Sequence, residues 1–303
     1  MRIVFAGTPQ AAVPALDGLV AAGHELVAVV TREDAPVGRK RVLTPSPVAA
    51  RAEELGLEVV RANRLDEAVA ERLLALEPDL GVIVAYGGLV REPLLHGPRL
   101  GWINLHFSLL PRWRGAAPVQ RAVLAGDTTT GIAVFELEAG LDTGPVHVNR
   151  EVPIGDDETA GELLERLSHE GVADVVEVVA RLADGTAVAT PQEGAPTHAE
   201  KLTAADGAID WSLPSRAVHA RIRGATPEPG ATTTLDGERF KVHAARRADD
   251  ADDADDAAAA VAALEPGEVR LVGGRVLVGT GDGALELVRV QPAGRTTMAA
   301  ADW

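Results

Sequence analysis

Apolar runs recur along the chain at the spacing of an alternating strand and helix pattern. The run "RIVFAG" (2–7) ends in a glycine turn and predicts a buried strand. In "PQAAVPALDGLVAAG" (9–23), Val13, Leu16, Leu19 and Val20 fall on one helical face, and Gly23 stands at the C-terminal end. "ELVAVVT" (25–31) predicts a second strand. Strand, helix and strand within about thirty residues make a βαβ unit, which requires a parallel sheet and a right-handed crossover. The rhythm continues with helix 46–56, strand 57–62, helix 64–77 and strand 80–87. Further strands are expected at 101–108 and 131–137. The pattern predicts a doubly wound, mostly parallel α/β sheet over residues 1–190.

Two stretches break the rhythm. Residues 32–45, "REDAPVGRKRVLTP", have no periodicity and carry Arg39, Lys40 and Arg41 beside Gly38. Such a charge run is commonly a solvated loop; a basic finger for phosphate is the sharper reading. From about 207 the pattern shortens to strands. "ATTTLDGERFKVHAA" (231–245) alternates and turns at Asp236-Gly237, and 267–294 holds three short strands with glycine turns. A small β-barrel is expected over 207–303, joined to the first domain by a linker at 191–206. Inside it, 248–260 is an acidic, low-complexity tract, read as a solvated loop.

Composition narrows the picture. The 303 residues are 46% hydrophobic but only 3% aromatic, so the core is built from Leu, Val and Ala. There is no cysteine, which excludes disulfides and thiolate metal sites. No signal peptide and no long apolar segment is read, so a cytoplasmic protein without membrane attachment is expected. The net charge of −16 argues against a nucleic-acid partner on average, although a local basic patch can coexist with it.

Candidate chemistry lies beyond the strand ends, where open parallel sheets bind ligands. Gly7 alone marks the first turn, so neither a dinucleotide nor an ATP fingerprint is present. In "GWINLHFS" (101–108), Asn104 and His106 are two residues apart and share a face. An amide donor beside an imidazole suits holding an oxyanion and moving a proton. Asp142 stands in a turn between Gly140 and Gly144. On residues alone two readings stay open: an Asn–His–Asp acyl-transfer site, or a core histidine and an unrelated turn aspartate. No group with metal-ligand spacing occurs.

Taken in order, "FAGTP" (5–9), "GRKRVLTPSPV" (38–48), "IVAYGGLV" (83–90), "INLHFSLLPRWRGAAPVQRAVLAGDTTTG" (103–131), "GLDTGP" (140–145), "AEKLTAADGAIDWS" (199–212) and "VQPAG" (290–294) resemble the methionyl-tRNA formyltransferase family. The resemblance implies a Rossmann-like catalytic domain followed by a β-barrel of oligonucleotide-binding type. It implies formyl transfer from 10-formyltetrahydrofolate to the amine of methionyl initiator tRNA, with no metal, in a monomer. Asn104, His106 and Asp142 take the catalytic positions, with Asn104 and a protonated His106 holding the oxyanion and Asp142 supporting the imidazolium. Ser108, Leu109, Leu110 and Pro111, together with Val84, Tyr86, Gly87 and Leu89, are expected along the folate. Arg39, Lys40 and Arg41 of loop 32–45 are expected on the tRNA, with Arg112, Arg114, Lys201, Arg221, Arg223, Lys241 and Arg246 as further tRNA-facing candidates.

Some positions depart from the family pattern. Ala11 replaces a usual phenylalanine, and Phe107 replaces a small residue and is expected to narrow the folate cleft or reshape its loop. Two other readings remain: the same folate site serving a nucleotide-sugar amine or water, and a non-catalytic RNA-binding protein. A glycinamide ribonucleotide formyltransferase would stop near residue 200, which the second domain argues against.

Overall fold

A computed structural model describes residues 1–38, 40–248 and 264–303. Arg39 and, apart from Ala248, the acidic tract lie outside the described residues. In chain order the elements begin with β1 (Arg2–Gly7), α1 (Val13–Ala21), β2 (Glu25–Thr31), β3 (Ala35–Val37), β4 (Val42–Thr44), α2 (Pro47–Glu54), β5 (Val59–Arg61) and α3 (Glu67–Leu74). They continue with β6 (Leu80–Val84), β7 (Trp102–His106), β8 (Arg114–Gly115), α4 (Pro118–Leu124), β9 (Thr129–Glu136), β10 (Val146–Pro153), α5 (Ala160–Asp184) and β11 (His198–Ala199).

These form a seven-stranded sheet in the order β10-β9-β7-β6-β1-β2-β5. Strands β5, β2, β1, β6 and β7 are parallel, and β9 runs antiparallel to β7. Burial of β1 and β6 along nearly their whole length explains their continuous apolar runs. Helices start where capping residues stand. The Ser46 hydroxyl accepts from the Ala49 N–H at 3.0 Å ahead of Pro47, and Asp66 accepts from the Val69 N–H at 3.0 Å.

The loop expected at 32–45 is a ribbon. β3 and β4 pair antiparallel with Val37 opposite Val42, and all six strand residues are exposed. Three-residue strands that include Pro36 leave no readable alternation in sequence, which is why the pattern missed them.

Contacts divide the described chain into one unit of residues 1–118, 131–152 and 164–199, and another of 119–130, 153–163 and 200–303. The boundary therefore lies at 199–200, inside the stretch expected to be a linker. Arginines bind the two inserted segments into the second unit. Arg121 reaches Asp206 at 2.7 Å, and Arg223 donates to the carbonyls of Gly155 and Glu158 at 3.0 and 3.2 Å.

The second unit carries α6 (Ser215–Gly224), β12 (Ala231–Leu235), β13 (Glu238–Arg247), β14 (Val269–Val272), β15 (Arg275–Gly279), β16 (Ala284–Gln291) and β17 (Met298–Ala299). Its sheet is antiparallel, in the order β12-β13-β16-β15-β14 with β17 on β16. Val218 and Ile222 of α6 join Phe240, Val242, Val278, Leu285, Leu287 and Val290 in one core, so helix and sheet bury each other's apolar faces.

Candidate active site

His106 closes β7 at its carboxyl end, opposite Ala133 of β9. Its ring is buried, with its edge against Phe135 at 6.1 Å between centroids. Nε2 lies 3.0 Å from the Trp113 carbonyl. A carbonyl only accepts, so Nε2 carries the proton and the neutral ring keeps its lone pair on Nδ1. Nδ1 faces Asp142 Oδ2 across 3.9 Å, too far for a hydrogen bond. Burial lowers the His106 pKa, and the Asp142 charge and the Trp113 carbonyl offset this only in part. The imidazole is therefore neutral at neutral pH: burial outweighs the carboxylate, which alone would raise the pKa. Asn104 sits one pleat back on the same face; its amide is half-buried and hydrogen-bonds to none of the described residues.

Asp142 is brought to His106 by a tight turn in which it has φ +49°. Its Oδ2 accepts from the Gly115 N–H at 2.7 Å. Two glycines make this packing fit. A Cβ on Gly144 would stand 1.8 Å from the Glu136 carbonyl oxygen. One on Gly115, at φ +126°, would stand 2.8 Å from the carbonyl oxygen of Ala199.

The sequence reading missed the residues that frame this pair. Gln192 Nε2 donates to the carbonyls of Asp142 and Gly144, both at 2.8 Å. Its Oε1 accepts from Arg114 at 3.1 and 2.6 Å. Thr197 accepts from the Trp113 N–H at 2.9 Å, and β11 pairs with β8. "TPQEGAPTHAEK" (190–201), rich in proline and glycine, carries no periodic signal, so its polar residues read as linker.

The expected folate residues divide. The Ser108 hydroxyl donates to the Arg112 carbonyl at 2.6 Å, inside its own turn. The Asn149 side chain takes both backbone groups of Leu110, at 3.1 and 2.6 Å, and so fixes the path of Leu109, Leu110 and Pro111. Val84 and Tyr86 are buried, and the Tyr86 hydroxyl donates to the Ala62 carbonyl at 2.7 Å. Those two side chains belong to the core, which leaves their backbone groups as what this strand end can offer a ligand. The Gly87 carbonyl accepts from Arg32 at 2.6 Å, and Leu89 is exposed. Phe107, the residue after β7, is buried. Its ring counts among the buried hydrophobic side chains.

Lys40 and Arg41 are exposed at the tip of the β3–β4 ribbon, with Arg39 outside the described residues. Arg114 is committed to Gln192, Arg223 is buried on backbone carbonyls, and Arg221 donates to the Ala208 carbonyl at 3.1 Å. Arg223 is thus withdrawn as a tRNA-facing residue. Arg112 lies over the Trp113 ring at 5.8 Å; Lys201 and Arg246 are exposed and Lys241 is half-buried. Among the described residues no group of three or more potential ligands could hold a metal ion, and no helix is long and apolar enough to cross a membrane.

The Formyl transferase profile matches residues 1–179 and the profile of the Formyl transferase C-terminal domain matches 201–303. The chain belongs to the formyl transferase family. Within it, the chain is similar to proteins named Methionyl-tRNA formyltransferase. That of Leifsonia xyli subsp. xyli is 60% identical over 303 residues, which is 100% of this chain and 96% of the relative. That of Clavibacter sepedonicus is 57% identical with the same coverage. The fold also matches the solved structure of the methionyl-tRNA formyltransferase from Clostridium thermocellum. There the TM-score is 0.58 at 16% identity, over 81% of this chain and 92% of that one.

Proposed function

We propose that this protein transfers the formyl group of 10-formyltetrahydrofolate to the amine of methionyl initiator tRNA, supporting translation initiation, as a monomer in the cytoplasm. The full-length likeness to named relatives supports the substrates. The observation that carries the chemistry is the neutral His106 facing Asp142 across an unbonded 3.9 Å gap. A lone pair opposite a carboxylate is an unfilled place for one proton.

The amine nitrogen attacks the formyl carbon and the carbonyl electrons move to oxygen. The free Asn104 amide donates to that oxyanion. The proton released by the amine passes to the His106–Asp142 pair, where the Asp142 charge stabilises the imidazolium. The tetrahedral carbon then expels N10 of the folate, which receives the proton. A bond from carbon to the amine forms, the bond to N10 breaks, and no proton is gained or lost. The turn Ser108–Pro111 and the backbone of 84–89 border the folate. Lys40 and Arg41, with Arg39, bring cationic groups to phosphates at the acceptor end of the tRNA.

The test is formyl transfer from 10-formyltetrahydrofolate to methionyl-tRNA, set against uncharged tRNA, free methionine, a nucleotide-sugar amine and water. Formylmethionyl-tRNA is the expected product. Its absence, with formyl appearing on another acceptor, replaces the substrate; no transfer to any acceptor overturns the reading.

A further inference from the structure

Residues 180–200 lie between the two stretches matched by the family profiles, and the sequence reading begins its linker inside them, at 191. In the structure, residues 190–199 are fastened along the reacting face. Thr190 exchanges two backbone hydrogen bonds with Val146 at 2.8 and 3.0 Å. The Thr197 N–H donates to the Pro111 carbonyl at 3.3 Å, and its carbonyl accepts from Arg114 at 2.9 Å. The Ala199 carbonyl accepts from Ala117 at 3.1 Å. These contacts reach both sides of the His106–Asp142 pair. Thr197 holds Trp113, whose carbonyl fixes the His106 ring, and Gln192 holds the Asp142 turn.

Gln192 is the centre of this clasp. One side-chain amide spans two carbonyls of the 142–144 turn and the Arg114 guanidinium. Arg114 precedes Gly115, whose N–H holds the Asp142 carboxylate. The result is a closed ring: Asp142 carboxylate, Gly115, Arg114, Gln192, Asp142 carbonyl. Asp142 is gripped at both its backbone and its side chain, at φ +49°, a conformation a non-glycine residue keeps only when its surroundings impose it.

We propose that Gln192 is a positioning residue for the reaction and that residues 190–199 are a clasp setting the gap between His106 and Asp142. The proposal rests on the reading of that pair as the proton-handling groups. No other side chain type of this length both donates twice to carbonyls and accepts from a guanidinium.

Two variants test it. Gln192→Glu keeps size and the acceptor for Arg114 but cannot donate; Gln192→Met keeps bulk and loses both. Both are expected to lower kcat for formyl transfer roughly 10- to 100-fold, with KM for folate and for tRNA within about threefold. The second readout needs no turnover. The His106 ring is titrated by NMR in the intact protein, and its apparent pKa is expected to fall in Gln192→Met as the Asp142 charge draws away; Gln192→Glu adds a carboxylate of its own, which pushes the other way, so the neutral variant reads the gap. A lower thermal midpoint with kcat and titration unmoved would make the contact structural only and overturn the proposal, as would no change in any of the three. If wild type transfers no formyl group while Gln192→Met still moves the titration, the reaction reading fails and the positioning stands.

Discussion

Two buried histidines, one in each unit, have nearly the same surroundings and teach different things. His106 and His219 each place Nε2 at 3.0 Å from a backbone carbonyl, of Trp113 and Ala245. Burial is the largest cause lowering both pKa values. The carboxylates differ. Asp157 approaches His219 at the same Nε2, at 3.1 Å, from a side chain 61% exposed, with the Arg223 cation lowering the pKa further. Asp142 is 12% exposed and faces the other nitrogen of His106 without bonding to it. A nitrogen already satisfied, beside a solvated carboxylate, is a packing device. An open nitrogen opposite a buried carboxylate is a place for a proton.

Breaking that contrast gives the largest effect. His106→Ala is expected to lower kcat by roughly 100-fold or more with the circular dichroism spectrum intact, while His219→Ala stays within about twofold. Equal losses in steady-state assays would erase the distinction. Next, Gly144→Ala drives a Cβ into the Glu136 carbonyl. The turn carrying Asp142 must shift, so kcat is expected to fall about tenfold along with a loss of several degrees in the thermal midpoint. A smaller effect belongs to the ribbon. Replacing Lys40 and Arg41 together by alanine is expected to raise KM for tRNA several-fold and to flatten the salt dependence of binding by a log–log slope of about 1–2, leaving the folate KM unchanged.

The smallest effect is on stability. His219 has a folded pKa below its ordinary 6.5. Below that pH the unfolded chain takes up a proton that the folded chain refuses, so stability falls as pH drops beneath 6.5. His219→Gln is expected to cost about 1 kcal/mol at pH 7.5, from the lost hydrogen bond, and clearly less at pH 5.5. Thermal melts across that range decide it; a cost that grows toward acid would reverse the assigned sign.

What could be read from sequence was what has a period or a motif. β1, β2, β6 and β7 announced themselves as apolar runs, and Asn104, His106 and Asp142 stood out as polar residues at strand ends and turns. Their meeting in space was not readable, because β9 must first run antiparallel to β7 and turn back through 138–145. The charge state of His106 follows from burial, which spacing does not give. Tyr86 shows another limit: sequence places it in the stretch whose backbone is expected at the folate, but not that its hydroxyl is spent on Ala62. Gln192 was hidden because its three partners lie about 50 and 80 residues away.

The pairing of β8 with β11 also sets an order of events during synthesis. Arg114 and Gly115 find their partners only at His198 and Ala199. A chain emerging from the ribosome can complete its parallel strands long before those residues exist, yet Thr197 and Gln192 still have to arrive before Trp113 and Asp142 are held. A nascent chain halted near residue 180 would own most of the sheet and an unfinished reaction centre. The last turn of the key is cut in the stretch that looked like the handle.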